Sequence, residues 1–250
     1  MLLNSIVKSQ KKTVIVTGAS RGLGLAICNQ LLQENYFVVA ISRSLSSELS
    51  NLCDGHPLSI AHVPYDLANL DDIYTLCKAI IEEFGRPYAL VNNAAVGHDG
   101  VLATMHNSEI NSLLNINVQA PILLSKYLSR SMMLNRTGRI INISSIIAST
   151  GFSGLSVYAA SKAAIEGFTR SLSREVGKAG ITVNCVAPGY MQTEMTSSLQ
   201  GEKLESVKRR SPLGRLASPA DAASAVLYLM SEQAKSMTGT IMTVDAGSTA

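Results

Sequence analysis

Short apolar runs rich in valine and isoleucine alternate with longer segments of helical period along the whole chain. Strands that alternate with helices in this way form βαβ units, so the pattern predicts a parallel sheet with about six helices between the strands. The predicted strands cover residues 12–18, 36–42, 58–66, 88–94, 138–145, 181–189 and 240–247.

Near-continuous hydrophobicity in "TVIV", "FVVAI" and "RIINI" is typical of strands that are buried on both faces. Helices above and below the sheet would bury them, which predicts a doubly wound α/β fold of about seven strands. The helix near 219–231 has a complete start signal, with Ser218 as the cap, Pro219 at the first position and Asp221 at the third. No linker or repeat divides the chain, so residues 1–250 are predicted to form a single domain.

Composition narrows the classes of function. A chain of 250 residues with 46% hydrophobic content can bury a sizeable core. Its net charge of +3 includes no basic stripe or block of like charges, which argues against nucleic acid or an anionic membrane as a partner. The four cysteines and four histidines show no metal-ligand spacing, so we predict neither a metal site nor a disulfide framework.

Residues 1–10 are interpreted as an N-terminal extension. The stretch "MLLNSIV" is apolar but too short for a secretory signal, and it runs directly into the polar "KSQKK". No later apolar run is long enough to span a bilayer. We therefore expect a cytoplasmic protein.

The first chemical signal is "TGASRGLG" at residues 17–24, between the first strand and the first helix. Glycines at 18, 22 and 24 permit a tight turn and let backbone N–H groups approach a pyrophosphate at the helix N-terminus. The spacing is G-x-x-x-G-x-G rather than G-x-G-x-x-G, and a tight connection without a ligand remains an alternative.

The end of the second strand indicates which dinucleotide would bind. A carboxylate there suits the ribose 2′-hydroxyl, whereas this chain has Arg43, with Arg21 in the glycine loop. Two guanidinium groups favour the 2′-phosphate of NADP(H), unless both are ordinary surface charges. Asp66, after the third strand, is either a ligand of the adenine amino group or a turn residue, and Asn92 is either a ligand at the sheet edge or a turn asparagine.

Tyr158 and Lys162, in "YAASK", are four residues apart and therefore neighbours on one helix face. At ~5 Å and an effective dielectric of ~20, the ammonium would stabilise a phenolate by ~3 kcal/mol and lower the pKa of Tyr158 by ~2 units. The spacing alone arises easily by chance. Ser145, at the end of the fifth strand, is placed to bring a hydroxyl to the same crevice.

Together, "TGASRGLG", "NNAA", "NINV", "ISS", "YAASK" and "VNCVAPGYMQTEM" resemble the short-chain dehydrogenase/reductase family over nearly the whole chain. The resemblance implies a Rossmann-like fold and a catalytic set of Asn117, Ser145, Tyr158 and Lys162. It also implies the following cofactor-binding residues: Gly18, Ser20, Arg21, Gly22, Leu23, Gly24, Arg43, Asp66, Leu67, Asn93, Ala94, Tyr158, Lys162, Pro188, Gly189, Met191 and Thr193.

Within the family, "GRIINISS", "GITVNCVAPG" and "PLGRLASP" are most similar to bacterial β-ketoacyl-acyl-carrier-protein reductases. This similarity implies an NADPH-dependent ketoreductase that acts on 3-oxoacyl thioesters linked to acyl carrier protein or CoA. Tyr158 would be the general acid, Ser145 would hold the carbonyl oxygen, Lys162 would hold the ribose and Asn117 would anchor a water. The alternatives are an oxidoreductase for another small ketone, sugar or quinone, and a nucleotide-binding subunit without chemistry.

The resemblance also implies a homotetramer that packs through residues around 110–133 and 158–177. An acidic carrier protein would bind near Arg136 and Lys178, although Ala179 stands where these reductases have a second basic residue. Ala95 likewise replaces a common glycine, a change that is tolerated if its φ is negative.

A lid is predicted at about 190–211. Its apolar side chains would either contact an acyl chain or simply pack a small helix on the body. They are Met191, Met195, Leu199 and Leu204.

Overall fold

A computed structural model describes residues 11–191 and 201–250 of the protein. Its centre is a parallel seven-stranded sheet in the order β3-β2-β1-β4-β5-β6-β7. The strands are β1 (Thr13–Thr17), β2 (Phe37–Ser42), β3 (Ile60–Pro64), β4 (Ala89–Asn92), β5 (Gly138–Ile143), β6 (Ile181–Pro188) and β7 (Ile241–Val244). All seven predicted strands are confirmed, as is the Rossmann-like doubly wound fold.

The helices connect successive strands. They are α1 (Gly22–Gln33), α2 (Ser47–Gly55), α3 (Ile73–Phe84), α4 (Asn107–Leu114), α5 (Ala120–Asn135), α6 (Ile147–Thr150), α7 (Ser156–Val176), α8 (Glu202–Arg210) and α9 (Pro219–Met230). The sequence predicted about six, one for each connection. The structure differs because a π-helical segment, Asn115–Gln119, separates α4 from α5, and because the short helices α6 and α8 precede α7 and α9.

Alternation along each strand sends side chains to two separate hydrophobic layers. On β1, Val14 and Val16 pack into the layer that contains α1 and α9, whereas Ile15 packs into the layer that contains α3 and α5. All three are fully buried. Both faces of the sheet are therefore covered, as the near-continuous hydrophobicity of the strands predicted.

The predicted start of α9 is confirmed in detail. The Ser218 hydroxyl accepts a hydrogen bond from the Asp221 amide at 3.1 Å, and Asp221 Oδ2 accepts one from the Ser218 amide at 2.9 Å. Pro219 occupies the first turn. No helix within 11–191 or 201–250 combines the length and the apolar character needed to cross a membrane.

Strand order reverses direction next to β1, which pairs with β2 on one side and β4 on the other. The chain therefore leaves the carboxyl ends of β1 and β4 toward opposite faces, and a crevice opens between them. Ligands of doubly wound folds bind at such a position. Most of the predicted site residues follow the carboxyl ends of the six strands β1 to β6, so the topology gathers them along one edge of the sheet.

Candidate active site

The glycine turn connects β1 to α1 through backbone conformations that suit glycine. Gly18 has a φ of 65° and Gly22 a φ of 55°, both in the left-handed region. Gly24 has a different requirement, since a Cβ at this position would collide with the Gly18 carbonyl oxygen. The N-cap residue, Arg21, has an extended backbone and forms no cap hydrogen bond through its side chain.

Asn93 and Thr17 fasten this turn to the end of β4. The Thr17 hydroxyl accepts hydrogen bonds from the amides of Asn93 and Ala94, each at 3.0 Å. Asn93 Nδ2 donates to the carbonyl oxygens of Thr17 at 2.8 Å and Gly18 at 3.2 Å. Asn93 therefore shapes the turn that would receive the cofactor.

Asn92 differs from both interpretations offered by the sequence. It is 4% exposed, and its Nδ2 donates to Ser125 Oγ at 3.2 Å and to Asn142 Oδ1 at 2.8 Å. Its side chain thus belongs to a buried polar network between β4, β5 and α5 rather than to the crevice or to a turn. The strand pattern could not show this, because a polar residue at a strand end is equally compatible with either side of the sheet.

Substitution of Gly24 by alanine is expected to cost several kcal/mol of folding free energy, because the added methyl meets backbone rather than a side chain that can move. Gly167→Ala is the matched control, since Gly167 lies in α7 and a Cβ at this position would have no neighbouring atom within 4 Å. That control should gain about 0.5–1 kcal/mol from helix propensity. Chemical denaturation of both variants measures the effect, and equal stability would contradict the close contact at Gly24.

The adenosine side of the crevice contains both predicted arginines. Arg43 is exposed immediately after β2, and Arg21 is exposed in the glycine turn. Ser46, the N-cap of α2, donates from its hydroxyl to the Ser20 carbonyl oxygen at 2.5 Å and so joins the start of α2 to the turn. This bond ties the glycine turn, which carries Arg21, to the connection after β2, which carries Arg43.

Asp66 forms a turn in the protein. Its Oδ1 accepts from the Ala68 amide at 3.0 Å, and its side chain is exposed, whereas the neighbouring Leu67 is buried. The turn interpretation therefore accounts for one carboxylate oxygen. The contact with adenine stays a prediction.

The proposed catalytic hydroxyls meet above the end of β5. Ser145 follows this strand, and its hydroxyl lies close enough to the Tyr158 hydroxyl from α7 to oppose the rise in the pKa of Tyr158. Lys162, one turn further along α7, is 3% exposed and donates from Nζ to the Ile143 carbonyl oxygen at 2.9 Å. Its Nζ lies 5.6 Å from the centre of the Tyr158 ring. The sequence spacing thus corresponds to an actual cluster.

Asn117 reaches the same cluster from the π-helical segment. Its amide pairs with the backbone of Val96 in both directions, accepting from the amide and donating to the carbonyl oxygen at 2.9 Å each. It also donates to Ser161 Oγ at 3.2 Å, and Ser161 donates to the Tyr158 carbonyl oxygen at 2.7 Å. Asn117 therefore ties the loop after β4 to α7. The anchoring of a water by Asn117 stays a prediction.

Comparisons with known proteins agree with this geometry. A family model described as enoyl-(acyl carrier protein) reductase matches residues 18–249. The 3-oxoacyl-[acyl-carrier-protein] reductase FabG of Vibrio cholerae is 39% identical over 238 residues, which cover 94% of this chain and 96% of that protein. The Escherichia coli K12 protein of the same name is 37% identical over the same shares of both chains. The chain belongs to the short-chain dehydrogenase/reductase family.

A solved structure extends the comparison to three dimensions. It is described as a candidate NAD(P)-dependent gluconate 5-dehydrogenase from Beutenbergia cavernae with NADP bound at low occupancy. The two chains superpose with a TM-score of 0.89 at 30% identity, over 94% of this chain and 96% of that one. As a short-chain dehydrogenase/reductase, the protein is an oxidoreductase that uses a nicotinamide cofactor.

The residues present fit that cofactor. The glycine turn leaves backbone where side chains would otherwise stand, and α1 begins without a side-chain cap, as a pyrophosphate site at a helix N-terminus requires. Arg21, Arg43 and Lys162 supply cations along the same crevice. No three His, Cys, Asp or Glu side chains in the described part of the chain are grouped to hold a metal ion.

Burial controls the acid–base properties of the short-chain dehydrogenase/reductase site. It raises the pKa of Tyr158 to about 12, with the nearby Ser145 hydroxyl opposing the rise and Tyr190 adding to it. It lowers the pKa of Lys162 to about 8. The expectation that Lys162 lowers the pKa of Tyr158 is therefore wrong for the protein without ligands. Both groups lose water, so each favours its neutral form.

The far side of the crevice is formed by the end of β6. Pro188 closes this strand, and its carbonyl oxygen accepts from the Ile146 amide at 3.1 Å. Gly189 donates to the Val244 carbonyl oxygen at 2.9 Å, and a Cβ on it would lie 2.6 Å from Asp245 Cβ. Beside it, the ring of Tyr190 packs edge-on against the ring of Phe152, with 6.2 Å between the ring centres. The sequence did not indicate this contact, because the two aromatic residues are 38 positions apart.

The predicted lid is described only in part. Met191 is half-buried against the layer that contains α1 and α9, in agreement with the packing interpretation for this residue. Thr193, Met195 and Leu199 lie outside the described residues, and of Leu204 only the backbone is described, within α8. Positive φ among described non-glycine residues occurs at Asn35, Arg136 and Ala246, so Ala95 meets the condition for tolerating a side chain.

Proposed function

We propose that this short-chain dehydrogenase/reductase is an NADPH-dependent ketoreductase that reduces 3-oxoacyl thioesters to 3-hydroxyacyl thioesters. The observation that carries the proposal is the proximity of the Ser145 and Tyr158 hydroxyls above β5, with Lys162 buried beneath them. Relatives that are 37–39% identical over 94% of the chain and are named 3-oxoacyl-[acyl-carrier-protein] reductases support the choice of substrate.

The side chains divide the chemistry between them. The reduced nicotinamide supplies a hydride to the carbonyl carbon when it is bound. Tyr158, which burial keeps protonated at neutral pH, donates its proton to the carbonyl oxygen. Ser145 donates a hydrogen bond to the same oxygen as negative charge develops there. Lys162 in its charged form would hold the ribose and lower the cost of the phenolate that Tyr158 becomes.

The preference for NADPH rests on Arg21 and Arg43. Arg43→Glu is expected to raise the KM for NADPH by about 10–100-fold, the loss of a hydrogen bond to a charged group plus a repulsion. The KM for NADH should change little or fall, because a carboxylate at this position suits a 2′-hydroxyl. Steady-state kinetics with both cofactors measure the two values. Arg86→Glu, an exposed change at the opposite edge of the sheet, is the control.

A carrier protein bound at Arg136 and Lys178 would deliver its acyl chain to the crevice of a neighbouring subunit. Both residues lie at the amino-terminal edge of the sheet, where β5 and β6 begin, whereas Tyr158 lies at the carboxyl edge. Tyr158 lies near the start of α7 and Lys178 lies two residues beyond its end at Val176, so the length of this helix separates them by roughly 30 Å. Carrier binding at this patch therefore goes together with the proposed tetramer, and both remain proposals.

A second candidate is an oxidoreductase for a small polyol or ketone. The likeness to the Beutenbergia protein, at a TM-score of 0.89, favours it specifically. A nucleotide-binding subunit without chemistry has less support, because nothing but catalysis requires Ser145, Tyr158 and Lys162 in one cluster.

NADPH oxidation with a panel of substrates tests these alternatives. We expect turnover of acetoacetyl-CoA and of carrier-linked 3-oxoacyl chains that exceeds turnover of simple ketones. Oxidation of gluconate or other polyols with no thioester reduction would replace the proposal by the second candidate. Nucleotide binding without turnover on any member of the panel would support the subunit without chemistry.

A further inference from the structure

The turn that carries Arg43 is held by a short chain of hydrogen bonds that begins at His62 on β3. His62 is the register partner of Ala40 on β2, and it shares a strand face with Ile60, which packs into the layer that contains α1 and α9. The His62 side chain is partly buried. The chemistry proposed above leaves this histidine without a role.

The His62 ring contacts the last residue of β2. Its Nε2 lies 2.9 Å from the hydroxyl oxygen of Ser42, which is 7% exposed. The Ser42 hydroxyl donates to the Ser44 carbonyl oxygen at 3.0 Å. A hydroxyl has a single proton, so the His62 ring must donate from Nε2 for both bonds to form. The chain of bonds therefore runs from His62 through Ser42 to Ser44.

Arg43 is the residue that this chain encloses. Ser42 and Ser44 flank it, so the bond between them curls the backbone around Arg43 and limits the directions in which its side chain can leave β2. The Ser42 carbonyl oxygen also accepts from the Tyr65 amide at 3.0 Å, which fixes the start of the turn to the segment after β3. The Arg43 side chain itself is exposed. Its backbone is therefore what aims it.

A fixed direction of Arg43 matters more for one dinucleotide than for the other. A guanidinium binds a phosphate through forked, charge-assisted hydrogen bonds, and these need a defined geometry. A turn that is already ordered loses less conformational freedom when the 2′-phosphate of NADPH binds. NADH has a neutral hydroxyl at this position and gains little from an aimed guanidinium.

We propose that His62 is a positioning residue for the cofactor, which through Ser42 holds Arg43 in the direction that favours NADPH over NADH. This inference rests on the proposed use of NADPH. His62 acts through the Ser42 hydroxyl and needs no contact with the cofactor.

Isothermal titration of the full-length protein with NADPH, and in a second arm with NADH, tests the proposal. We expect His62→Leu to weaken NADPH binding by about three- to tenfold, the range for the loss of one hydrogen bond between neutral groups, and to change NADH binding by less than about twofold. The kcat at saturating NADPH should stay the same. His62→Gln places an amide Nε2 donor at a similar reach and should restore most of the NADPH affinity.

His56→Leu is the matched control. His56 follows α2 at the end far from Arg43, and its Nδ1 lies 3.2 Å from the Leu52 carbonyl oxygen. This variant removes a histidine of similar exposure to solvent or greater, and it should leave the affinities for both cofactors unchanged.

Ser42→Ala separates positioning from direct contact. It should weaken NADPH by the same factor as His62→Leu, and His62→Leu should have no further effect in the Ser42→Ala background, because both changes break one chain of bonds. A further loss in that background would show that His62 meets the 2′-phosphate itself, and equal weakening of NADPH and NADH would show a structural role alone. Either result would overturn the proposal.

The parent protein distinguishes failure of this inference from failure of the proposed function. A parent that prefers NADPH and keeps the same preference as His62→Leu would remove the role of His62 alone. A parent that binds NADPH no more tightly than NADH would remove the proposed cofactor preference, and the role of His62 with it.

Discussion

Tyr158→Phe is expected to lower kcat for ketone reduction by about 10²–10⁴-fold, the usual contribution of a positioned general acid. Phenylalanine fills nearly the same volume but offers no proton to the carbonyl oxygen. Because loss of water raises the pKa of Tyr158 to about 12, its hydroxyl is fully protonated at neutral pH, and every molecule of the parent enzyme carries the acid form. Stopped-flow or steady-state oxidation of NADPH measures the loss.

Tyr88→Phe is the control for this experiment. Tyr88 is a buried phenol whose pKa is likewise raised to about 12, and its hydroxyl donates to the Met230 carbonyl oxygen at 2.8 Å, far from the crevice. This variant should lose about 1 kcal/mol of stability and keep its turnover. Full activity of Tyr158→Phe, with NADPH still bound, would remove Tyr158 from the mechanism.

The sequence was sufficient for features in which one local rule dominates. Buried parallel strands read as runs of β-branched residues, and all seven strands followed from them. The turn at Gly18 and Gly22 followed from the need for positive φ. The proximity of Tyr158 and Lys162 followed from helix geometry, because residues four apart share a face.

Features that depend on tertiary surroundings did not follow. The direction of the Tyr158 pKa shift was predicted wrongly. Helical spacing gives the distance between Tyr158 and the charge of Lys162, whereas the loss of water around Tyr158 depends on neighbours from other elements. The π-helical segment that presents Asn117 has no sequence signature, and neither has the link from Asn117 through Ser161 to α7. Asn92 was misread because its partners, Ser125 and Asn142, are distant in sequence.

Lys162→Met is expected to remove most of the activity and, at the same time, a pH dependence of stability. In the folded protein without ligands the pKa of Lys162 is about 8, below the 10.5 of an unburied lysine. Below pH 8 the lysine is charged in both states, and the folded state bears the full cost of burying that charge. Between pH 8 and 10.5 the unfolded chain binds more protons, so the free energy of unfolding rises with pH.

The shift of 10.5 − 8 = 2.5 units corresponds to roughly 3 kcal/mol across that window. Lys162→Met has no such group, so the difference in unfolding free energy between parent and variant should change by about this amount from pH 8 to 10.5. Denaturant titrations at several pH values measure it, with the exposed Lys126→Met as the control that shows no change.

Loss of the Lys162 proton should also limit catalysis. If the charged lysine is what stabilises the Tyr158 phenolate, kcat/KM for ketone reduction falls as pH rises through about 8, the pKa of Lys162 in the free enzyme. Stability and activity then respond to pH in opposite directions, because the charge that destabilises the folded protein is the charge that the reaction uses. A flat kcat/KM across this range, combined with the expected stability change, would show that Lys162 loses its proton without consequence for proton transfer by Tyr158.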